Sequence, residues 1–257
     1  MQKQKYYPLV HTMQKQEYTL QRENNLGRHF GKKKPDFVKF YKLICDSGIN
    51  KAFNSDRETE EWAKLVYKNM ESPQITVITG VPGNVALYSG DTLLLKIRDN
   101  HIIKVCLPGV KSLRDTYMFC GHDFEYTLWA KFPDLEDGGD YFLDRAYDLH
   151  SLYVPKLKRL GREALAYSQL PKFKGPELVR AGDYFLYRNE RMDLFKAPKL
   201  VQVGRGCLWE NNVLDCNTPK EMEEIDGDGL LYAPNLDSAG IYCHPLIYSA
   251  IEANHSK

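Results

Sequence analysis

The sequence predicts an α+β protein with N-terminal helices, a central antiparallel β-meander and a mixed α/β C-terminal part. Two observations carry most of that expectation. Residues 74–107 form the densest run of β-branched and aliphatic residues in the chain, and two apolar stripes at helical spacing precede it. The composition agrees: 257 residues, 43% of them hydrophobic, suffice for a sizeable core, and 17 tyrosines argue against a plain helical bundle.

The 74–107 run is broken by Gly80-Val81-Pro82-Gly83-Asn84, by Ser89-Gly90-Asp91 and by Asp99-Asn100, all turn chemistries. Strands are expected at 74–79, 84–88, 92–98 and 101–107. Connections this short fit hairpins, because parallel neighbours need a crossover of about a dozen residues.

Taken from the start, residues 1–34 show no sustained period and form a basic, irregular arm. A first helix opens at Pro35 with Phe37, Phe40, Tyr41 and Ile44 on one face and stops at Gly48. A second begins at the capping box Ser55-Asp56-Arg57-Glu58 and carries Trp62, Leu65, Val66 and Met70 until Pro73. Phe40, Ile44, Trp62 and Val66 should be buried; Lys39, Lys42, Glu60 and Lys64 should be wet. After the meander, residues 112–131 read as a helix through Tyr117, Cys120, Phe124 and Leu128, followed by an acidic loop at 134–140 and a short helix at 141–152. Residues 153–157 look extended, and 163–170 fit strand or helix. Residues 182–188 and 199–204 read as strands around a turn at Asn189-Glu190, and 245–253 as a final helix. No internal repeat stands out. The expected organisation is an arm (1–34), a unit of helices and meander (35–171) and a second α+β part (172–257) that packs with the first.

Net charge is +1, but residues 1–42 hold ten Lys or Arg against three acids, leaving an acidic remainder. Such an arm suits nucleic acid or an acidic protein surface. No apolar run reaches the roughly 18 residues that span a bilayer, and no hydrophobic segment of a signal peptide follows Met1, so no membrane contact and a cytoplasmic address, in a cell or an infected host, are expected. Six irregularly spaced cysteines suggest reduced thiols. Cys120, His122, Cys243 and His244 could supply zinc ligands, though their spacing matches no usual zinc pattern.

Several motifs invite functional readings. Thr79-Gly80-Val81-Pro82-Gly83 resembles a P-loop opening, but Asn84-Val85-Ala86-Leu87 lacks its lysine and hydroxyl. Glu224-Ile225-Asp226-Gly227-Asp228-Gly229 resembles an EF-hand calcium loop, a haloacid-dehalogenase-like phosphatase motif and a LAGLIDADG endonuclease helix. None of these contexts holds; the calcium loop, for example, would need a glutamate where Asn235 stands.

A further resemblance rests on order along the chain. Gly80 and Gly83 in a sheet turn, Lys104 (or Lys96) on a strand, Glu125 21 residues later, then Asn212 and Asp226 or Asp228, resemble a degenerate, truncated protein-kinase-like phosphotransferase. In that family the lysine and glutamate hold the phosphates of Mg-ATP, while the asparagine and aspartate hold the metal. Residues 153–157 and 164–171 would be later strands and the hinge. Cys207 stands where the family has its catalytic aspartate, so the resemblance implies nucleotide binding with transfer weak or absent. Two other classes compete: a non-enzymatic nucleic-acid- or protein-binding or assembly protein, and a metal-dependent nuclease using Asp134, Asp137, Asp226 or Asp228.

Overall fold

The computed structural model describes residues 28–29, 36–70, 72, 74–79, 81–114, 124–211, 231–233 and 235–256. Both early helices form where the capping residues place them. In α1 (Phe37–Asp46) the Asp36 carboxylate accepts the Lys39 N–H at 2.9 Å, and the helix ends before Gly48, whose φ of +79° is left-handed. A 3-10 turn (Ile49–Ala52) leads to α2 (Asp56–Asn69). There the Ser55 hydroxyl accepts the Glu58 N–H at 3.2 Å, and the Glu58 carboxylate reaches back to the N–H of Asn54 at 3.1 Å. Phe40, Ile44, Trp62 and Val66 are buried as expected. Lys39, Lys42 and Lys64 are exposed, and Glu60 is half-buried.

The helices pack on a seven-stranded sheet. Its edge strand β1 (Arg28–His29) is followed by β2 (Ile75–Thr79), β3 (Val85–Ser89), β4 (Thr92–Arg98) and β5 (His101–Cys106), each antiparallel to the one before. Asp99 and Asn100, with φ of +52° and +62°, make the tight β4–β5 turn that their short polar side chains allow. The antiparallel pairing is therefore in place, but the sheet as a whole is not a meander. Beyond β5 it continues in parallel through β6 (Trp129–Lys131) and β7 (Ser151–Tyr153).

This corrects the helix expected at 112–131. Residues 129–131 are strand, Glu125 and Tyr126 sit in a turn, Ser112 bridges Asp137, and 115–123 lie outside the described residues. The Leu128 N–H donates to Ile103 O and the buried Thr127 hydroxyl to Ile102 O, both at 3.0 Å, which docks the segment along β5. A three-residue strand is too short to show a period of its own.

From β6 on, the mixed C-terminal part is a parallel β-solenoid. One side continues the sheet surface with β9 (Lys172–Lys174), β11 (Leu194–Lys196) and β13 (Leu231–Tyr232); the other stacks β8 (Arg159–Leu160), β10 (Arg180–Ala181), β12 (Gln202–Val203) and β14 (Ser238–Ala239). Partners recur 21 or 22 residues apart, as in Arg159↔Arg180↔Gln202 and Phe173↔Phe195. The chain thus does contain an internal repeat, and the last turn of the coil is longer, pairing Gln202 with Ser238.

The third side of each turn replaces the helix expected at 141–152 and the strand expected at 182–188. Alternate residues there adopt positive φ: Tyr141, Leu143 and Arg145, then Glu163, Leu165 and Tyr167, then Tyr184, Leu186 and Arg188. Their N–H groups bond neighbouring turns of the coil, for example Leu165 N–H to Phe142 O at 2.8 Å and Leu186 N–H to Ala164 O at 3.0 Å. Isolated residues of these types avoid that conformation; here the inter-turn bonds hold it.

Inside, Phe173 stacks on Phe195 with ring centroids 5.5 Å apart, and Phe185 meets Phe173 edge-on. Asn189 is not in an exposed turn but fully buried. A final helix, α3 (Pro245–His255), packs on β13 and β14 through Ile247, and Asn254 donates to the carbonyls of Ala233 and Leu236. It closes the end of the stack as terminal caps of solenoids do. One hydrophobic core runs from Phe40 to Ile247, and no helix among the described residues is long and apolar enough to cross a membrane.

Candidate functional site

Strands alternate their side chains between faces, so the sheet that buries Val77, Leu87, Leu95, Val105 and Ala130 on the helix side presents a second face to solvent. That outer face has an unusual charge distribution. Across β2 to β7, β9 and β11 there is not one Asp or Glu, while Lys96, Arg98, Lys104, Lys131, Lys172, Lys174 and Lys196 are all present.

Register brings the charges together. Lys96 stands opposite Lys104, and Lys174 beside Lys196. Burial, together with the neighbouring Lys104 and Arg98 cations, holds the Lys96 ammonium below its ordinary pKa. Elsewhere on the solenoid lysines are matched with acids: Lys156 with Asp134 at 2.6 Å, Lys158 with Glu136 at 2.8 Å and Lys199 with Glu177 at 2.6 Å.

Aromatic rings interleave with the lysines. The Lys104 ammonium lies over the Trp129 indole, 4.4 Å from its centroid, and Lys131 over Tyr153 at 5.3 Å. These contacts orient rings that are otherwise open, Trp129 being 57% and Tyr153 51% exposed. Beside Trp129, on the β4–β5 side, lies a hollow of about 420 Å³ lined by Thr92, Leu93, Lys104, Val105, Cys106, Trp129 and Lys131.

Of the kinase-like residues, Gly83, Lys104 and Glu125 lie among the described residues. Gly83 sits in the β2–β3 turn with φ +86°, and its carbonyl accepts the Asn100 N–H at 3.0 Å, so it packs two hairpin turns together. Lys104 meets Trp129, whereas Glu125 lines a different hollow with Lys51, Asn54, His101 and Tyr126, near the 3-10 turn. Gly80, Asn212, Asp226 and Asp228 lie outside the described residues. Cys207 is fully buried, and burial with the nearby Cys243 pushes its thiol well above the ordinary value.

Those residues weighed for metal binding that fall among the described ones have other partners. Asp134 accepts from Lys156 and from the Gly109 N–H, Asp137 accepts the Gly139 N–H at 3.1 Å, and Cys243 donates to the Gly204 carbonyl. His244 caps α3 by accepting the Leu246 N–H. Cys120 and His122 fall outside the described residues, and among those described no group of three or more His, Cys, Asp or Glu could hold a metal ion.

Trp129, Lys131, Tyr153, Lys172 and Lys174 did not stand out in the sequence. The signal was present as tripeptides that alternate an outer residue, an apolar inner one and an outer residue: WAK at 129–131, SLY at 151–153, KFK at 172–174 and LFK at 194–196.

One buried acid stands apart from this face. Asp144 is 6% exposed, its Oδ1 has no hydrogen-bond partner, and the nearest cation, Arg145, is 3.6 Å from Oδ2. Burial pushes its carboxyl up to about 6, with Glu163 adding to the effect and Arg145 opposing it. Because the folded value lies above the unfolded one, the contribution of Asp144 to stability is most favourable below about pH 4, falls as pH rises to about 6 and is level above that. Asp144→Asn is expected to raise unfolding stability by about 1–3 kcal/mol at pH 7 and by far less at pH 4. Urea midpoints at the two pH values check this, and an equal gain at both would discard the buried charge as its source.

Compared with known proteins, the chain matches no family model, no curated protein and no solved structure.

Proposed function

We propose that this chain is a non-enzymatic nucleic-acid-binding protein whose contact surface is the outer face of the sheet. The observation that carries the reading is the charge segregation: seven Lys or Arg and no carboxylate across eight strands, with exposed aromatic rings between the cations. Lysines set next to one another, as Lys96 is to Lys104, concentrate positive charge, which a phosphate backbone neutralises with release of its counterions. The basic arm would add to that field, since its residues Arg28 and His29 form the edge strand of the same sheet.

The kinase-like alternative needs Lys104 paired with Glu125 around Mg-ATP, and the position of Lys104 over Trp129 favours the binding reading instead. An acidic protein surface would satisfy the lysines but would leave the open rings without a specific role.

The test is anisotropy of a labelled single-stranded 20-mer oligonucleotide. With about six phosphate contacts, affinity is expected to fall by two to three orders of magnitude, roughly, between 50 and 200 mM salt. Reversing Lys104, Lys131, Lys172 and Lys174 to glutamate should abolish binding. Reversing Lys64, Lys156, Lys158 and Lys199, which changes the net charge equally, should leave most of it. Binding that ignores both salt and the first set overturns the proposal, and a melting shift with Mg-ATP but none with the oligonucleotide would favour the kinase-like alternative.

A further inference from the structure

The outer face differs from a plain basic patch in its relief and in its rings. Lys131 stands opposite Tyr153, and Trp129 opposite Ser151, so Trp129 and Tyr153 are diagonal neighbours on adjacent strands. Strand spacing and rise put their backbones about 8 Å apart. Each ring has a lysine ammonium over it, and each remains more than half exposed. Beside Trp129 the hollow of about 420 Å³ has Leu93 and Cys106 as its apolar side chains and Lys104 and Lys131 as its cations. That volume falls within the range of small-ligand sites, and an apolar pocket flanked by two ammonium groups matches a flat heterocycle joined to phosphates.

We infer that the face selects single-stranded over duplex nucleic acid, seating one unstacked base in the hollow against Trp129 and a neighbouring base on Tyr153, with the flanking phosphates on Lys104 and Lys131. This rests on the nucleic-acid reading above and adds base contact to it. Stacking is sequence-tolerant, because every base has a π-face, and it requires bases that are not already stacked and paired. The geometry also disfavours a duplex: the major groove admits a helix or a two-stranded ribbon, whereas this surface is a sheet seven strands wide that continues onto the solenoid. Duplex contact would be limited to phosphates and would leave the hollow without a base.

Three ligands of equal length separate the contributions: a single-stranded 20-mer, the same strand in a duplex, and an abasic 20-mer that keeps the phosphates but has no bases. At fixed salt the base-carrying single strand is expected to bind at least about 10-fold tighter than either of the others. The double variant Trp129→Ala/Tyr153→Ala should bring the single strand down to the level of the abasic strand, a loss of about 10- to 100-fold, while abasic affinity stays the same. Both rings are exposed, and unchanged circular dichroism confirms that the variant still folds.

If the abasic strand or the duplex binds as tightly as the single strand, base seating is overturned while charge-driven binding stands. If the double variant weakens all three ligands alike, the rings shape the surface without seating bases, and the inference falls. If no strand binds and the lysine reversals are silent, the nucleic-acid reading itself is lost.

Discussion

Gly182→Ala is expected to destabilise the protein by about 3 kcal/mol or more, lowering its melting temperature by about 6 °C or more, although alanine is the smallest possible side chain. A Cβ at Gly182 would sit 2.5 Å from Gly161 C, 2.7 Å from Gly161 O and 2.7 Å from the Arg162 nitrogen, all of them backbone atoms of the preceding turn. No side chain can swing aside to relieve such a contact. The neighbouring turn cannot retreat either, because Gly161 is itself close to Asp140 and Gly139, and the Gly182 N–H holds the Leu160 carbonyl at 3.0 Å. Gly204 and Gly240 repeat the arrangement, so the column is one of close approach at a corner of the coil. Gly48→Ala is the control. That position has open space around it and only the cost of a left-handed φ, so about 1 kcal/mol is expected. Thermal unfolding of the two variants checks the contrast, and equal losses would mean that backbone crowding is not what fixes Gly182.

Asn189→Ala should cost about 3–5 kcal/mol, because one side chain satisfies polar groups from two turns of the coil. Its carbonyl oxygen accepts the Ser168 hydroxyl at 2.6 Å and the Leu170 N–H at 3.1 Å, and its amide donates to Leu165 O at 2.7 Å and Tyr187 O at 3.3 Å. Asn189 and Ser168 are fully buried, so truncation leaves donors and an acceptor without water to replace the lost partner. Asn211, in the corresponding place of the next turn, donates to Leu186 O and Leu208 O, but its own Oδ1 has no partner. Asn211→Ala should therefore cost less than Asn189→Ala. Hydrogen exchange of the Leu170 amide, which donates to Asn189, reads the effect locally, and an Asn189→Ala protein whose exchange and unfolding match the unmodified chain would show that the ladder adds nothing.

What was legible in the sequence was what depends on near neighbours. Ser55 with Glu58 marks the start of α2, and Asp99-Asn100 marks a hairpin, because capping and tight turns are decided within four residues. The solenoid depends on residues some 22 positions away. Its strands have two or three residues, too few for a period, and its inward positions vary in size from Phe142 to Ala164, Phe185 and Cys207. The pentapeptide GDYFL, present at both 139–143 and 182–186, was the literal trace of the repeat on view. Kinase-like order along the chain gave Lys104 and Glu125 a shared purpose, whereas the two line different hollows. The lysine face is a property of columns running across strands. It becomes visible only once Lys174 is known to lie beside Lys196 and Lys131 beside Tyr153.

The coil is closed at one end by α3 and at the other by the antiparallel hairpins, and the outer face of its parallel strands runs between those stops. Length along that direction is therefore quantised. One more 21- or 22-residue turn, spliced at a glycine corner, would lengthen the surface by about 4.8 Å, and one fewer would shorten it by the same step. The molecule is a ruler graduated in strands, and the length of its outer face changes only by whole turns.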